Sequence, residues 1–276
     1  MPTEPHRFRR LVLGLQPRAP DHAMRLAVEL AELLNLELVG LFLEDTNLRS
    51  LASLPFAREF RPLGGGWHPI DTEHLSRELE AAARSAEEIL AAAAKRLSWR
   101  FEVARGPMAA TIAAISQTSD IVVIAEPSSA AERVTQQFSW LIEAAFKSAA
   151  SVMVVPRQIA RVQGPIVALA TTPDDPSIGM AANIALAANE ELVVVDVCER
   201  PIDDAQIKAL ATGGLTIKHT VAGKAAGANA TALAQVLRPL RERLVVIARS
   251  ASDSESASVI AAERKAPVLV VEATRD

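Results

Sequence analysis

The chain has one cysteine, no long apolar run, and no glycine pattern of the kind that cradles phosphate. With Cys198 alone, an intrachain disulfide framework is excluded and a reducing compartment is the expected setting. No apolar stretch approaches the roughly 20 residues of a spanning helix, so no membrane span is expected. Met1 to Arg10 is polar and lacks the apolar core of a signal peptide, which makes a cytoplasmic location the expectation. An excess of one charge is missing too. The 29 Lys and Arg stand against 33 Asp and Glu, for a net charge of −4. That balance disfavours phosphate-backbone binding, and nucleic acid is not an expected partner. G-x-S-x-G, G-x-x-x-x-G-K-[ST] and G-x-G-x-x-G are all absent, which leaves nucleophile-elbow, P-loop and dinucleotide-fold readings without their signatures. The five histidines are scattered, none at metal-ligand spacing, so no metal is expected.

What is present is one strand schedule, written twice. Apolar runs fall at 10–15, 37–43, 99–103, 120–125 and 151–155, then again at 165–170, 191–197, 215–221, 244–248 and 267–271. The first two strands of each pass are offset by 155 residues (166 against 11, 192 against 37). Later strands are offset by 116 (216 against 100, 268 against 152), so the first copy holds 39 extra residues between its second and third strands. A shared order with one localised length difference indicates duplication. Runs such as Ile121-Val122-Val123-Ile124 and Val152-Met153-Val154-Val155 suit strands covered on both faces, as in parallel sheets.

Helical patterns separate the strands. Asp21 after Pro20 reads as an N-cap, with Met24, Ala27, Leu30, Ala31 and Leu34 on one face. Between His74 and Leu97 the apolar stripe is Leu75, Leu79, Ala82, Ala86, Ile89, Leu90, Ala93 and Leu97. Pro107 opens a third helix through Ile112 and Ile115. Alternating strands and helices predict an α/β fold of two tandem, doubly wound, five-stranded parallel sheets related by a pseudo-twofold axis. The expected domains are 1–157, with an inserted arm at about 46–72, and 163–276, joined by a short linker at 156–164. Cys198 follows a β-like run and reads as a buried small hydrophobe. Arg7, Arg9 and Arg10 read as a solvated strand edge.

The layout resembles the universal stress protein family, in a tandem two-domain form. The resemblance is carried by Leu11-Val12-Leu13 and the helix after it, Val103-Ala104-Arg105-Gly106-Pro107, Asp120 to Ala125, and Ser139 through Val155. Weaker echoes are Val221-Ala222-Gly223, Leu244 to Ala248 and Ala266 to Val271. Members that bind ATP carry G-x2-G-x9-G-[ST] after the fourth strand, because glycine lets backbone N–H groups approach phosphate. Aligning Ser139 with the motif's hydroxyl residue puts its glycines at Phe138, Ser128 and Ala125, and none is glycine. Ser129 lies in the same degenerate loop, and Glu126 adds a repelling charge. The family's aspartate after the first strand falls at Gln16. Ser139 then reads as a helix cap.

In the second copy the corresponding loop, Arg249 to Ser256, is shorter: the offset drops from 123 (244 against 121) to 116. It has no glycine, and Thr171 replaces the aspartate. Its four serines and Arg249 suggest an anion, which Asp253 and Glu255 oppose. Gly223 to Gly227 could hold an anion with Lys224, although such glycines more often make a turn. Glu44-Asp45 at a strand end could bind a cation; a solvated strand end is the plainer reading.

The arm supplies Phe56, Phe60 and Trp67 in a chain that is only 4% aromatic. The plainer expectation is that the arm folds down over its own domain and fills a satellite core. The alternative is a contact patch for a protein partner or a second subunit. The two domains are expected to pair within the chain along their fifth strands, with a homodimer as a further option. The resulting expectation is a non-catalytic, stress-associated binding protein with eroded ATP sites and no cofactor. The alternatives are a nucleotide binder with an atypical loop, including slow ATP hydrolysis, and a binder of an apolar small ligand.

Overall fold

A strand covered on both faces has no reason to alternate, and the central strands here do not. The computed structural model describes residues 8–15, 21–45, 50, 52–61, 65–106, 108–126, 137–211, 213–223 and 229–272. The first half runs β1 (Arg10–Leu15), α1 (Asp21–Leu34), β2 (Glu37–Asp45), β3 (Arg58–Arg61), β4 (Gly66–Pro69), α2 (Thr72–Ala93), β5 (Trp99–Gly106), α3 (Met108–Ile115), β6 (Asp120–Ala125), α4 (Gln137–Lys147) and β7 (Ser151–Val155). The second runs β8 (Ile166–Ala170), α5 (Pro176–Ala188), β9 (Leu192–Asp196), α6 (Asp204–Leu210), β10 (Ile217–Val221), α7 (Ala230–Val236), β11 (Leu244–Ala248), α8 (Ser254–Arg264) and β12 (Val268–Val271). Every residue of β7, β8, β9, β11 and β12 is buried.

The strands order as β5-β2-β1-β6-β7-β12-β11-β8-β9-β10 in one ten-stranded sheet. Each half repeats the same internal order, mirrored about the seam. Pairing is parallel within each half, and β7 meets β12 antiparallel, with Met153 opposite Leu269. The two five-stranded halves join along their fifth strands into one continuous sheet. The fifth strands complete each other's open N–H and C=O rows, so neither is left as an edge.

Helices α1, α2, α5 and α6 cover one face, and α3, α4, α7 and α8 the other. Corresponding helices of the two halves therefore share a face. Across the seam α1 packs on α5, and α8 packs on α4. The duplication also survives in the helix ends. Asn35 after α1 and Asn189 after α5 both take the left-handed conformation that ends a helix, at φ 52° and 53°.

Three sequence expectations shift. Helix α2 is capped by Asp71, which accepts from the N–H groups of Glu73 and His74, and it ends at Ala93, short of Leu97. Its buried face is Ala83, Ala86 and Leu90, continued by Ala94, while Ile89 is 50% exposed. One residue is about 100° of helix, which carries Ile89 off the stripe that Leu90 occupies. Arg10 is no solvated edge: its guanidinium grips the buried Asp120 carboxylate at 2.9 and 2.5 Å. Pro107, Arg7 and residues 224–227 lie outside the described residues.

Candidate functional site

In open α/β sheets ligands gather beyond the carboxyl ends of the strands, so those ends are the place to look. In the first half, Ala125 closes β6, and α4 begins at Gln137. Phe138 is half-buried and packs against the core of its face. Ser139 lies two residues inside α4, not at its cap, and its side chain falls outside the described set. Gln16, Ser128 and Ser129 also lie outside the described residues. Glu126 is buried, and its carboxylate accepts from the backbone N–H of Arg157 at 3.4 Å, so it holds the connector between halves. Beneath the ends of β1 and β6, the space toward α3 and α4 is a cavity of only about 10 Å³, no more than one water needs.

The second half is closed by its own carboxylates. Asp175, 4% exposed, caps α5 and accepts from the Ser177 N–H at 2.9 Å. Its other oxygen takes the Thr171 N–H at 2.9 Å and the Thr171 hydroxyl at 3.0 Å. Thr171 is the residue just past the first strand of that half. Before α8, Asp253 accepts from the Ser256 N–H at 2.7 Å, and that bond holds its carboxyl below the ordinary range. The helix end a phosphate would use is already capped by a negative group.

Arg249 does not face the serine loop. It crosses the seam and donates to the carbonyls of Phe146 and Ser148 at 2.5 and 2.7 Å, and to that of Ala150. The Phe146 and Ser148 oxygens lie at the C-terminal end of α4, where a cation is favoured, and Ala150 directly precedes β7. Glu272 lies 2.7 Å from its Nε. Burial lowers the guanidinium's pKa, an effect Glu272 opposes. An arginine read as a possible anion ligand is a structural bolt.

Two further strand ends are likewise occupied. Asp196, fully buried at the end of β9, accepts from Ile202 N–H at 2.6 Å, Cys198 N–H at 2.9 Å and His219 Nε2 at 3.4 Å. Burial alone would raise its pKa, but the bonds from Ile202 and Cys198 outweigh that and hold it low. Cys198 is buried, and burial together with the neighbouring Asp196 pushes its thiol up to about 12. It is inert at neutral pH. Glu44 is neither a solvated end nor an open cation ligand, because its buried carboxylate meets Arg105 Nε at 2.9 Å. The described residues contain no group of three or more His, Cys, Asp or Glu placed to hold a metal.

No protein-family model matches the sequence, and no curated protein matches it significantly. Solved structures do. A universal stress protein from Archaeoglobus fulgidus DSM 4304 aligns over 97% of both chains, at 13% identity and a TM-score of 0.67. The fold is that of the universal stress proteins. A candidate universal stress protein from Pseudomonas aeruginosa UCBPP-PA14 aligns over 97% of this chain and 94% of its own, at 16% identity and TM-score 0.53. A protein of unknown function from Pseudomonas aeruginosa PAO1 follows at 14% identity and TM-score 0.51, over 97% and 93%. At such identities the likeness is one of fold, and site chemistry must come from this chain's own residues.

The inserted arm lies outside the two repeated strand schedules of the universal stress protein frame. Strands β3 and β4 pair as an antiparallel hairpin with Phe60 opposite Trp67, their rings 5.4 Å apart. Phe56, Phe60 and Trp67 are 74%, 57% and 64% exposed, so the arm does not fill a satellite core. Two four-residue strands are too short to build one. Sequence reading missed Asp175 and Asp196 as closing groups. The Asp175-Pro176 pair, cap followed by first-turn proline, was a legible sign of the first. Among the described residues no helix is long and apolar enough to cross a membrane.

Proposed function

We propose that this protein is a non-catalytic, stress-associated binding protein in which the nucleotide cradles of the universal stress protein fold have been given up. One observation carries the reading: in the second half, the amides a phosphate would need are taken by Asp175 and Asp253. Displacing a buried carboxylate to admit a second anion costs desolvation and repulsion together. In the first half the family's glycine positions hold Ala125, Ser128 and Phe138, and a Cβ at each narrows the approach of backbone to phosphate.

The test is mass spectrometry of the denatured protein for co-purified nucleotide, with calorimetric titration of ATP and magnesium. No stoichiometric nucleotide and no saturable binding tighter than about 1 mM are expected. Tighter binding that disappears in Ser139→Ala restores a working cradle and overturns the reading.

The exposed arm belongs to the same proposal. Three uncovered aromatic side chains on one short hairpin form the kind of surface that a protein contact buries. The arm is assigned to self-association, with a second copy covering Phe56, Phe60 and Trp67. Sedimentation velocity should show a dimer that Phe56→Ser with Trp67→Ser returns to monomer. A monomeric wild type removes this assignment.

A further inference from the structure

One concavity at the seam is lined by none of the residues at the cradle positions. It encloses about 630 Å³, within the range of small-molecule sites. Its walls come from both halves: His22 and Arg25 on α1, the connector from Arg157 to Val162, and Arg243 and Pro267 leading into β11 and β12.

Charge is what sets it apart. Arg25, Arg157, Arg161 and Arg243 converge on the cavity, against one carboxylate, Glu29. That carboxylate is already paired with Arg243, which also has Glu190 at 3.7 Å. Among the described residues none is recorded opposite the guanidinium groups of Arg25, Arg157 or Arg161. The whole chain carries −4, so a concavity with three arginines that no described carboxylate faces is no reflection of overall charge. Leu26, Ile159 and Pro267 supply an apolar wall between them.

The site is also built on fixed parts. Ile159 packs on the core, and the Ala160 N–H bonds the Lys265 carbonyl at 2.8 Å, which ties the connector to the second half. His22 Nε2 donates to the Pro156 carbonyl at 3.0 Å, since a carbonyl can only accept, and this ties α1 to the same connector. Guanidinium groups lining an apolar wall match a ligand with two or more phosphate or carboxylate groups on a small organic body.

We propose that the seam cavity binds a small organic polyanion through Arg25, Arg157 and Arg161, and that the bound ligand clamps the two halves together. The experiment is calorimetric titration of the full chain with inorganic pyrophosphate and, separately, with citrate. Saturable one-to-one binding of at least one probe is expected. Pyrophosphate alone assigns phosphate groups, citrate alone assigns carboxylates, and both together leave the shared chemistry. Arg157→Ala with Arg161→Ala should weaken binding at least about tenfold, while Arg96→Ala, away from the cavity, should not. Bound probe should also slow phenylglyoxal modification of Arg157 and Arg161 in the wild-type chain, a readout that needs no variant. Failure of both probes to bind, or equal binding by the double variant, overturns the proposal. ATP is itself a polyanion. ATP binding lost with the arginine pair but kept in Ser139→Ala belongs to the seam, and the opposite pattern strikes the cradle reading alone.

Discussion

The two halves solve one problem alike and another quite differently. At the amino ends of the strands, each buries a carboxylate and grips it with a two-pronged arginine. Arg10 holds Asp120 at the start of β6, and Arg264 holds Glu242 just before β11, at 2.7 and 3.2 Å. At the carboxyl ends they part. The second half turns Asp175 and Asp196 inward onto its own amides and caps α8 with the exposed Asp253, while the first uses Glu126 to hold the connector and pairs Glu44 with an exposed arginine. The arginines stand at non-corresponding places, Arg10 on β1 and Arg264 at the end of α8, so the two halves share the kind of pairing and not the residues. The carboxyl ends are where the fold places ligands, and there each copy drifted under its own constraints.

Removing Asp196 should hurt most. Its carboxylate satisfies two buried amides and also meets His219, and Asp196→Ala strands both amides. A loss of about 3 kcal/mol is expected in urea unfolding, against half that or less for Asp196→Asn, which keeps one acceptor. The pH dependence has a definite sign. The folded carboxyl lies below its ordinary value of 3.8, so its contribution is complete above that value and drains as pH falls through the folded pKa. Acid unfolding of the wild type should therefore steepen below about pH 4, and Asp196→Asn should lose that part. An unchanged acid limb would mean the carboxylate does not seal β9.

Arg249→Met ranks next and tests the seam itself. The replacement keeps the stem but leaves the carbonyls of Phe146, Ser148 and Ala150 without their donor. Buried acceptors left unpaired predict a cost of about 2–3 kcal/mol. Hydrogen exchange should show the extra opening at β7 and β12, not at the outer strands. A uniform change across the sheet would mean Arg249 is no seam bolt.

Backbone geometry gives the third. Gly164 ends the connector at φ 132°, where a Cβ would lie 2.4 Å from the Arg241 carbonyl oxygen. No flexible side chain can move aside, because the obstacle is backbone. Gly164→Ala should cost about 2 kcal/mol, while Gly179→Ala, with open space around it in α5, should be neutral or slightly stabilising. Equal behaviour of the two would show that the connector yields freely.

The succession of strands and helices along the chain and the extra length of the first copy were legible in the sequence, because burial on both faces writes continuous apolar runs and duplication writes them twice. The erosion of the glycine motif was also legible, since it is a matter of residue type alone. Polar partners over long separations were not. Arg249 looks like a loop arginine until the seam brings Phe146 beside it, and Arg10 looks solvated until β6 places Asp120 next to β1. The arm misled for a related reason: apolar side chains predict burial only where there is a surface to bury against.

The mildest test returns to the first half. Glu44 is 2% exposed, yet its partner Arg105 is 63% exposed, so water screens one side of the pair. Glu44→Gln keeps the size and one acceptor oxygen, and the freed guanidinium can turn to solvent. The expected loss is about 0.5–1 kcal/mol, well below the cost at Asp196 although both carboxylates are buried. The contrast isolates what seals a strand end. Asp196 is held by backbone amides that have nowhere else to go, whereas Glu44 is held by a side chain that has water as an alternative. Equal losses at the two positions would mean that burial of the carboxylate, not the fixity of its donors, sets the cost, and the distinction between the two carboxyl ends would fall with it.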